Sequence, residues 1–331
     1  MTLKENSTPT SPYPLFVVGM PRSGSTIFTR LLNESSDLFI VNDFYYLQYV
    51  DSLRGFENNS ETVNQQLAAY VLKLIKARIE RPDSPAISCG LMLCAEDEAK
   101  IEKFVAELDC TGEQNWASIL EQIMQFSASL LGKKIWGYNT PQDYLNIDLL
   151  LEAYPNAKIV FVMRDPRSML RSYKYIFTNA HNTTQRYHPV LQSLAWRTSI
   201  RSYFDYQAKY SHNILLVRYE DLVAKTSETL DRVGNFVGAK FSDTGLDKFG
   251  NNSSFKDKKA KNLNDTETWL CERVAAVEME RLGHTISQSK PRLQDALSLI
   301  SLTANAAFFY ISKTLTSDDI RKRVFKLVKK A

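Results

Sequence analysis

Apolar residues fall along this chain in two alternating rhythms. Short unbroken runs at Leu15–Val18, Leu38–Val41, Lys158–Met163 and Asn213–Arg218 have the β-branched and aromatic content of strands buried on both faces. Between them lie stretches with apolar positions three and four apart. Ile27, Phe28, Leu31 and Leu32 form one, and Val63, Leu67, Tyr70, Val71, Leu74 and Ile75 form another, the latter in a helix expected from about Glu61 to Arg81 and stopped by Pro82 and Pro85. Residues 96–131 read mainly as helix with a break at Thr111-Gly112. Lys133–Trp136 is a short strand that hands over to a loop at Gly137–Pro141 and a helix through Ala153. Pro166 is placed to start a helix after the strongest strand. Further helices are expected over 190–210, from Thr226 to Val237 and from Thr266 to Leu282.

Strand and helix alternating in this way predict an α/β fold of three layers, a parallel central sheet with helices on both faces. Residues 60–131 are expected as a helical cover outside the sheet. Ligands bind such sheets beyond the carboxyl ends of the strands. The loops after Val18, Met163 and Arg218 therefore share one rim.

Composition narrows the class. The 331 residues are 44% hydrophobic and 24% charged, enough for a sizeable core. We expect a disordered leader over residues 1–13, one body over 14–290 and a helical tail over 291–331. The formal net charge is +4, and the last fourteen residues hold six Lys/Arg against two Asp, so the body is near neutral. Bulk charge gives no support to nucleic-acid binding. Cys89, Cys94, Cys110 and Cys271 have neither paired metal-ligand spacing nor a nearby histidine cluster, and read as reduced thiols. The first residues lack a basic-plus-apolar signal, so the expected location is the cytoplasm. In the tail, Ile320, Val324, Leu327 and Val328 share a helical face flanked by cations. Two readings stand: peripheral membrane contact, or an apolar face packed on the body. The preceding run, Leu297–Ile311, reads as too short and too interrupted by Ser, Thr and Asn to span a bilayer.

The chemistry starts at the first strand. Gly19-Met-Pro-Arg22-Ser23-Gly24-Ser25-Thr26 places two glycines and three hydroxyls between a buried strand and a helix, an arrangement that turns backbone N–H groups toward an anion at a helix N-terminus. The spacing nearly matches the P-loop, but Ser25 stands where that motif has lysine, and the cation is Arg22. A nucleoside triphosphatase needs that lysine. Arginine instead offers planar, bidentate recognition.

Pro-Arg-Ser-Gly-Ser-Thr after a hydrophobic strand resembles the 5′-phosphosulfate loop of the sulfotransferases that use 3′-phosphoadenosine 5′-phosphosulfate (PAPS). Other segments carry the same resemblance, which extends from residue 14 to about 283. Arg164-Asp-Pro-Arg-x4-Ser172 resembles the family's 3′-phosphate site, with an arginine at a strand end and a serine eight residues on. Leu-Leu-Val-Arg-Tyr219-Glu is similar to the strand whose tyrosine lies near the adenine. Asn-Ser253-Ser254-Phe-Lys256 looks like the late loop over the 3′-phosphate, where Lys256, Lys258 and Lys259 are all candidate cations. The resemblance implies a P-loop-like fold, PAPS as donor with 3′,5′-ADP as product, no metal, and a small-molecule, carbohydrate or lipid acceptor. It assigns the 5′-phosphosulfate to Arg22, Ser23, Gly24, Ser25 and Thr26, the 3′-phosphate to Arg164 and Ser172 with Ser254 and Lys256, and the adenine to Tyr219.

Sulfuryl transfer also needs stabilised leaving charge and a base for the acceptor hydroxyl. Arg22 and the amides after it are candidates for the first. For the base, Asp43 matches the position of a glutamate in tyrosylprotein and carbohydrate-type relatives; its other reading is a helix N-cap. His181 and His188 are second choices. The sequence departs from the family at Asn139, where many relatives carry a lysine that neutralises the bridging oxygen. Tyr45, Tyr46, Trp136 and Tyr138 could line an acceptor pocket or fill the core. Two other functions remain open: a P-loop phosphotransferase in which Thr26 and Asp165 hold Mg²⁺, and a nucleotide-binding module without activity.

Overall fold

The computed structural model describes residues 13–53, 60–79, 89–111, 114–179, 187–241 and 262–316. In chain order the elements are β1 (Leu15–Gly19), α1 (Ser25–Asn33), β2 (Leu38–Asn42), α2 (Tyr46–Leu53), α3 (Glu61–Arg78), α4 (Ala95–Ala106), α5 (Trp116–Leu130) and β3 (Ile135–Asn139). A 3₁₀ turn at Pro141–Asn146 leads into α6 (Ile147–Ala153), β4 (Lys158–Met163), α7 (Pro166–Asn179) and α8 (Pro189–Lys209). Then follow β5 (Ile214–Arg218), α9 (Tyr219–Ala224), α10 (Thr226–Val237), α11 (Asp265–Arg281) and α12 (Ala296–Thr316).

The five strands form one parallel sheet in the order β2-β3-β1-β4-β5. Successive side chains of a strand point to opposite faces, so each strand feeds two cores. Leu15, Val17, Val160, Val162 and Val217 pack with Phe28 and Leu31 of α1 and Leu230 and Val233 of α10. Phe16, Val18, Phe161 and Met163 pack on the other face with residues of α2 to α8 and α11. These are the three layers that the alternation predicts.

The cover over 60–131 is helical in α3, α4 and α5, and the expected break near Thr111 falls between the last two. Ser60 caps α3 by accepting from the Val63 N–H at 3.2 Å, and α3 ends at Arg78, three residues before the expected stop. Asn115 and Ser118 form a reciprocal capping box on α5.

One strand differs from expectation. The glycine at 137 reads as a loop opener, yet β3 runs through it to Asn139, pairing with β1 and β2 on either side. Its backbone lies so close to β1 that a Cβ there would stand 1.8 Å from the Leu15 carbonyl oxygen. Glycine is the residue of a central strand here because no side chain fits. As a result Trp136 and Tyr138, with Tyr46, are fully buried, and Tyr138 packs against Phe16 and Phe44 at ring-centroid distances of 4.8 and 5.3 Å. Of the four candidate pocket aromatics, these three belong to the core.

At the other end, α12 is 21 residues long, and the apolar stretch including its lead-in runs for 20 residues, so length alone does not exclude a span. Ala306 and Phe309 nevertheless bury their side chains, and Leu302 packs on the main core. The four cysteines are unpaired thiols. The leader up to residue 12 and the basic tail after Thr316 lie outside the described residues.

Candidate active site

The site grows from the position of β1. Its neighbours are β3 on one side and β4 on the other, so the chain leaves β1 in one direction and returns on the other. Ligands of such sheets bind beyond the strand ends at this switch point, and here the loops carrying Arg22 and Arg164 meet.

The loop after β1 is held open by backbone geometry. Gly19 has φ 146° and sits against β4, where a Cβ would meet the Val162 carbonyl at 2.1 Å. Gly24 has φ 92°, and a Cβ on it would lie 2.2 Å from the Tyr219 ring. Arg22 also adopts positive φ, 73°. Ser23 does not face outward as expected: its N–H and its hydroxyl both donate to the Met20 carbonyl, at 3.2 and 2.5 Å. It builds the turn and leaves the anion cradle to the residues that follow. Gly24 is the N-cap of α1 and supplies no side-chain acceptor, so the first amides of the helix, those of Ser25 and Thr26 among them, keep no capping partner. That is the anion-binding end of a helix.

Arg22 and Arg164 close on one another. The Arg164 guanidinium donates from Nη1 to the Arg22 carbonyl at 3.4 Å, and Arg22 Nε donates to Ser172 Oγ at 3.1 Å. The expected pairing had Ser172 beside Arg164; in this arrangement it pairs with Arg22, and hydrogen bonds join all three. Arg164 lies over the Tyr219 ring, 4.3 Å from its centroid, and its carbonyl accepts from Trp196 Nε1 at 2.9 Å. Tyr219 therefore stands between Gly24 and Arg164, supporting both. Burial disfavours the charge on Arg22, and the neighbouring Arg164 adds repulsion while Tyr173 and Asp43 oppose it. Burial likewise disfavours the charge on Arg164, offset chiefly by Tyr219 and Glu220. Two neighbouring guanidinium groups, that of a buried Arg164 and that of a partly buried Arg22, are what a multiply charged anion would stabilise.

Asp43 follows β2 with φ 52°. The next helix starts at Tyr46, which puts Tyr45, not Asp43, at its N-cap position; the capping alternative does not hold. Burial raises the Asp43 carboxyl above the ordinary range, against the pull of Arg78, Arg22 and a hydrogen bond from Tyr45. A carboxyl raised in this way while facing two cations is a general-base arrangement. Tyr45 is thus the one of the four aromatics that reaches the site. Two participants escaped the sequence reading. Arg78, at the end of α3, looks like an ordinary helix-surface cation, and its Nε is buried without a hydrogen-bond partner. Tyr173 follows Ser172 and is raised by burial, with Arg22 acting to lower it.

Asn139 ends β3 in full burial. Its Nδ2 donates to Ser25 Oγ at 3.2 Å and to Asn42 Oδ1 at 2.5 Å, tying the loop of β1 to the end of β2. Where the family lysine would bring charge, this residue brings a brace. His188 is the N-cap of α8 and lies 3.1 Å from Thr303 Oγ1, a structural place and not that of a base. Asp165 is gripped by Arg167, with contacts at 2.6, 3.1 and 3.2 Å, and its N–H donates to Glu220. His181, Ser254, Lys256, Lys258 and Lys259 lie outside the described residues. Among the described residues there is no cluster of His, Cys, Asp and Glu that could hold a metal.

Residues 14–243 match the model of the sulfotransferase family, and this chain belongs to that family. The α/β architecture described above is the setting in which the matched segment lies. A 3-alpha-hydroxysteroid sulfotransferase of Cavia porcellus is 28% identical over 109 residues, 30% of this chain and 38% of that relative. The match thus spans well under half of the relative's length. Among solved structures, the sulfotransferase domain from the Synechococcus PCC 7002 olefin synthase aligns over 91% of this chain and 98% of its own, at 19% identity and a TM-score of 0.49. A sulfotransferase of Mycobacterium avium, STF9, aligns over 84% and 79% at 14% identity and a TM-score of 0.46.

Proposed function

We propose that this sulfotransferase takes its sulfuryl group from 3′-phosphoadenosine 5′-phosphosulfate and passes it to a hydroxyl of a small-molecule acceptor. The single observation that carries the reading is the link between the two motifs, Arg164 to the Arg22 carbonyl and Arg22 to Ser172. That two arginines 142 positions apart are brought together supports a nucleotide with anionic groups at both ends.

The residues present fit that donor. Glycine at 24 leaves room for a close approach, the start of α1 has no side-chain cap and offers N–H groups, and burial disfavours the charge on both arginines, which a bound anion would offset. Arg22 with the Ser25 and Thr26 amides would hold the 5′-phosphosulfate, and Arg164 with Ser172 the 3′-phosphate, Ser172 exchanging its present partner for the ligand. When bound, the donor supplies an activated sulfuryl group whose transfer leaves negative charge on a phosphate oxygen. Arg22 and the α1 dipole stabilise that charge in a preorganised, half-buried setting. Asp43 takes the proton of the acceptor hydroxyl, and Tyr45 and Arg78 orient its carboxylate. Asn139 keeps the Ser25 end of the loop fixed against β2.

The phosphotransferase alternative asked Asp165 to hold Mg²⁺ with Thr26. Both oxygens of Asp165 are instead taken by Arg167. Calorimetry separates the two readings: micromolar binding of 3′,5′-ADP with no gain from Mg²⁺ supports the proposal, and a preference for Mg-ATP overturns it. Transfer of labelled sulfate from PAPS to a panel of hydroxyl acceptors then identifies the acceptor class.

A further inference from the structure

Among the described residues, the outer face of α12 carries a run of exposed large apolar side chains that the candidate site leaves unused. Leu297, Ile300, Phe308 and Ile311 are 81, 65, 66 and 62% exposed, and exposed Ala304 continues the stripe between them. Leu293, just ahead of the helix, is 95% exposed. From Ala296 to Ser312 the sequence holds no charged residue. A surface helix of a soluble domain carries its charges on the outward face; this one has none before Lys313. A contiguous exposed apolar patch of this kind marks an interaction surface.

We infer that the outward stripe of α12 seats this enzyme in the interfacial layer of an anionic lipid bilayer, with the helix lying along the surface and not crossing it. Three observations decide the occupant and the pose. First, the inner face is committed to the protein: Ala306 and Phe309 are buried, Leu302 packs on the core and Thr303 meets His188. A helix that keeps that face in the body cannot also be sheathed by lipid on all sides, as a span requires. Second, the chain directly after α12, residues 318–331, carries six Lys/Arg against two Asp. Cations beside an apolar face are the composition that binds anionic headgroups. Third, a basic flank is complementary in charge to anionic headgroups and not to a second copy of itself.

The face also bears on catalysis. On the inner side of α12, the Tyr310 phenol opposes ionisation of Tyr173, which in turn neighbours Arg22. A helix seated on a membrane through one side therefore lies, through the other, within electrostatic reach of a neighbour of Arg22.

The test is co-sedimentation of the full chain with vesicles of phosphatidylcholine, with and without about one-third phosphatidylserine. The wild type should pellet with the anionic vesicles, and binding should weaken as salt screens the tail. The triple variant Leu297→Ser/Ile300→Ser/Phe308→Ser should lose binding by about tenfold or more, while keeping the wild-type circular-dichroism spectrum and a cooperative thermal melt as proof that it is folded. Lys326→Glu/Lys329→Glu/Lys330→Glu should remove the preference for phosphatidylserine. A wild type that stays in the supernatant, or a triple variant that pellets like the wild type, overturns the inference. So does a concentration-dependent dimer that the triple variant abolishes, since a second copy would then cover the face. None of these results depends on which donor the enzyme uses.

Discussion

Arg22 and Asp43 are the two non-glycine residues with left-handed backbone among the described part of this chain, and each stabilises the charged form of the other. They stand at the ends of adjacent-in-sequence strands β1 and β2, separated in the sheet by β3. Such conformations cost about 1–3 kcal/mol each and persist where the surroundings enforce them. Here the enforcement is visible. Ser23 pins the first loop to Met20, and the Asn139 carbonyl and Thr140 hydroxyl hold Phe44 beside Asp43. The strain falls on the two side chains that the proposed reaction uses, one to stabilise the leaving charge and one to take the proton.

Asp43→Asn keeps the shape and tolerates positive φ, but cannot accept the proton. Turnover should fall by about 10²–10⁴ while the affinity for 3′,5′-ADP is kept. Its effect on stability has the opposite sign. The carboxyl is raised in the fold, so its contribution is full below the unfolded value and is lost as pH rises through the folded one. At neutral pH the buried carboxylate is a cost, and the Asn variant should melt higher than the wild type, with the difference closing in acid. Thermal melts at two pH values check this.

Arg78 is the first cation opposing the burial of Asp43. Removing it in Arg78→Met should raise the Asp43 carboxyl further, so the acidic limb of the kcat/KM profile moves to higher pH. A purely structural role for Arg78 would lower the rate at every pH without moving the limb.

Gly24 faces two constraints and Gly283 one. Both have positive φ, but a Cβ at 24 strikes the Tyr219 ring whereas a Cβ at 283 meets nothing within 4 Å. Gly283→Ala should therefore cost about 1 kcal/mol of conformational strain. Gly24→Ala should cost more and also weaken 3′,5′-ADP binding, since it displaces Tyr219 from beneath Arg164. Denaturant melts and calorimetry on the two variants separate the contributions.

Much of this was legible in the sequence because it is local. A buried strand running into a glycine loop, or into Arg-Asp-Pro, carries its own start and stop signals, so β1, β4, α7 and the residues Arg22, Arg164 and Ser172 could be named in advance. What escaped depends on contacts between distant segments. Gly137 looks like a loop opener until β1 is seen to lie against it. Tyr219 reads as a nucleotide contact, and only the packing shows Gly24 and Arg164 on either side of it. Ser23 looks like part of the cradle until its hydroxyl is found on Met20. Arg78 has no sequence signature at all, because only the packing of α3 brings it to Asp43.

The central claim is that Arg22 and Arg164 serve different anionic groups of one nucleotide. The most direct measurement is calorimetric titration of wild type and Arg164→Ala with 3′,5′-ADP and with 5′-AMP, which lacks the 3′-phosphate. The account predicts that the variant binds 3′,5′-ADP about 10- to 150-fold more weakly, the loss of a charge-assisted contact worth about 1.5–3 kcal/mol, and binds 5′-AMP as the wild type does. Equal loss for both ligands, or no loss for either, would contradict it.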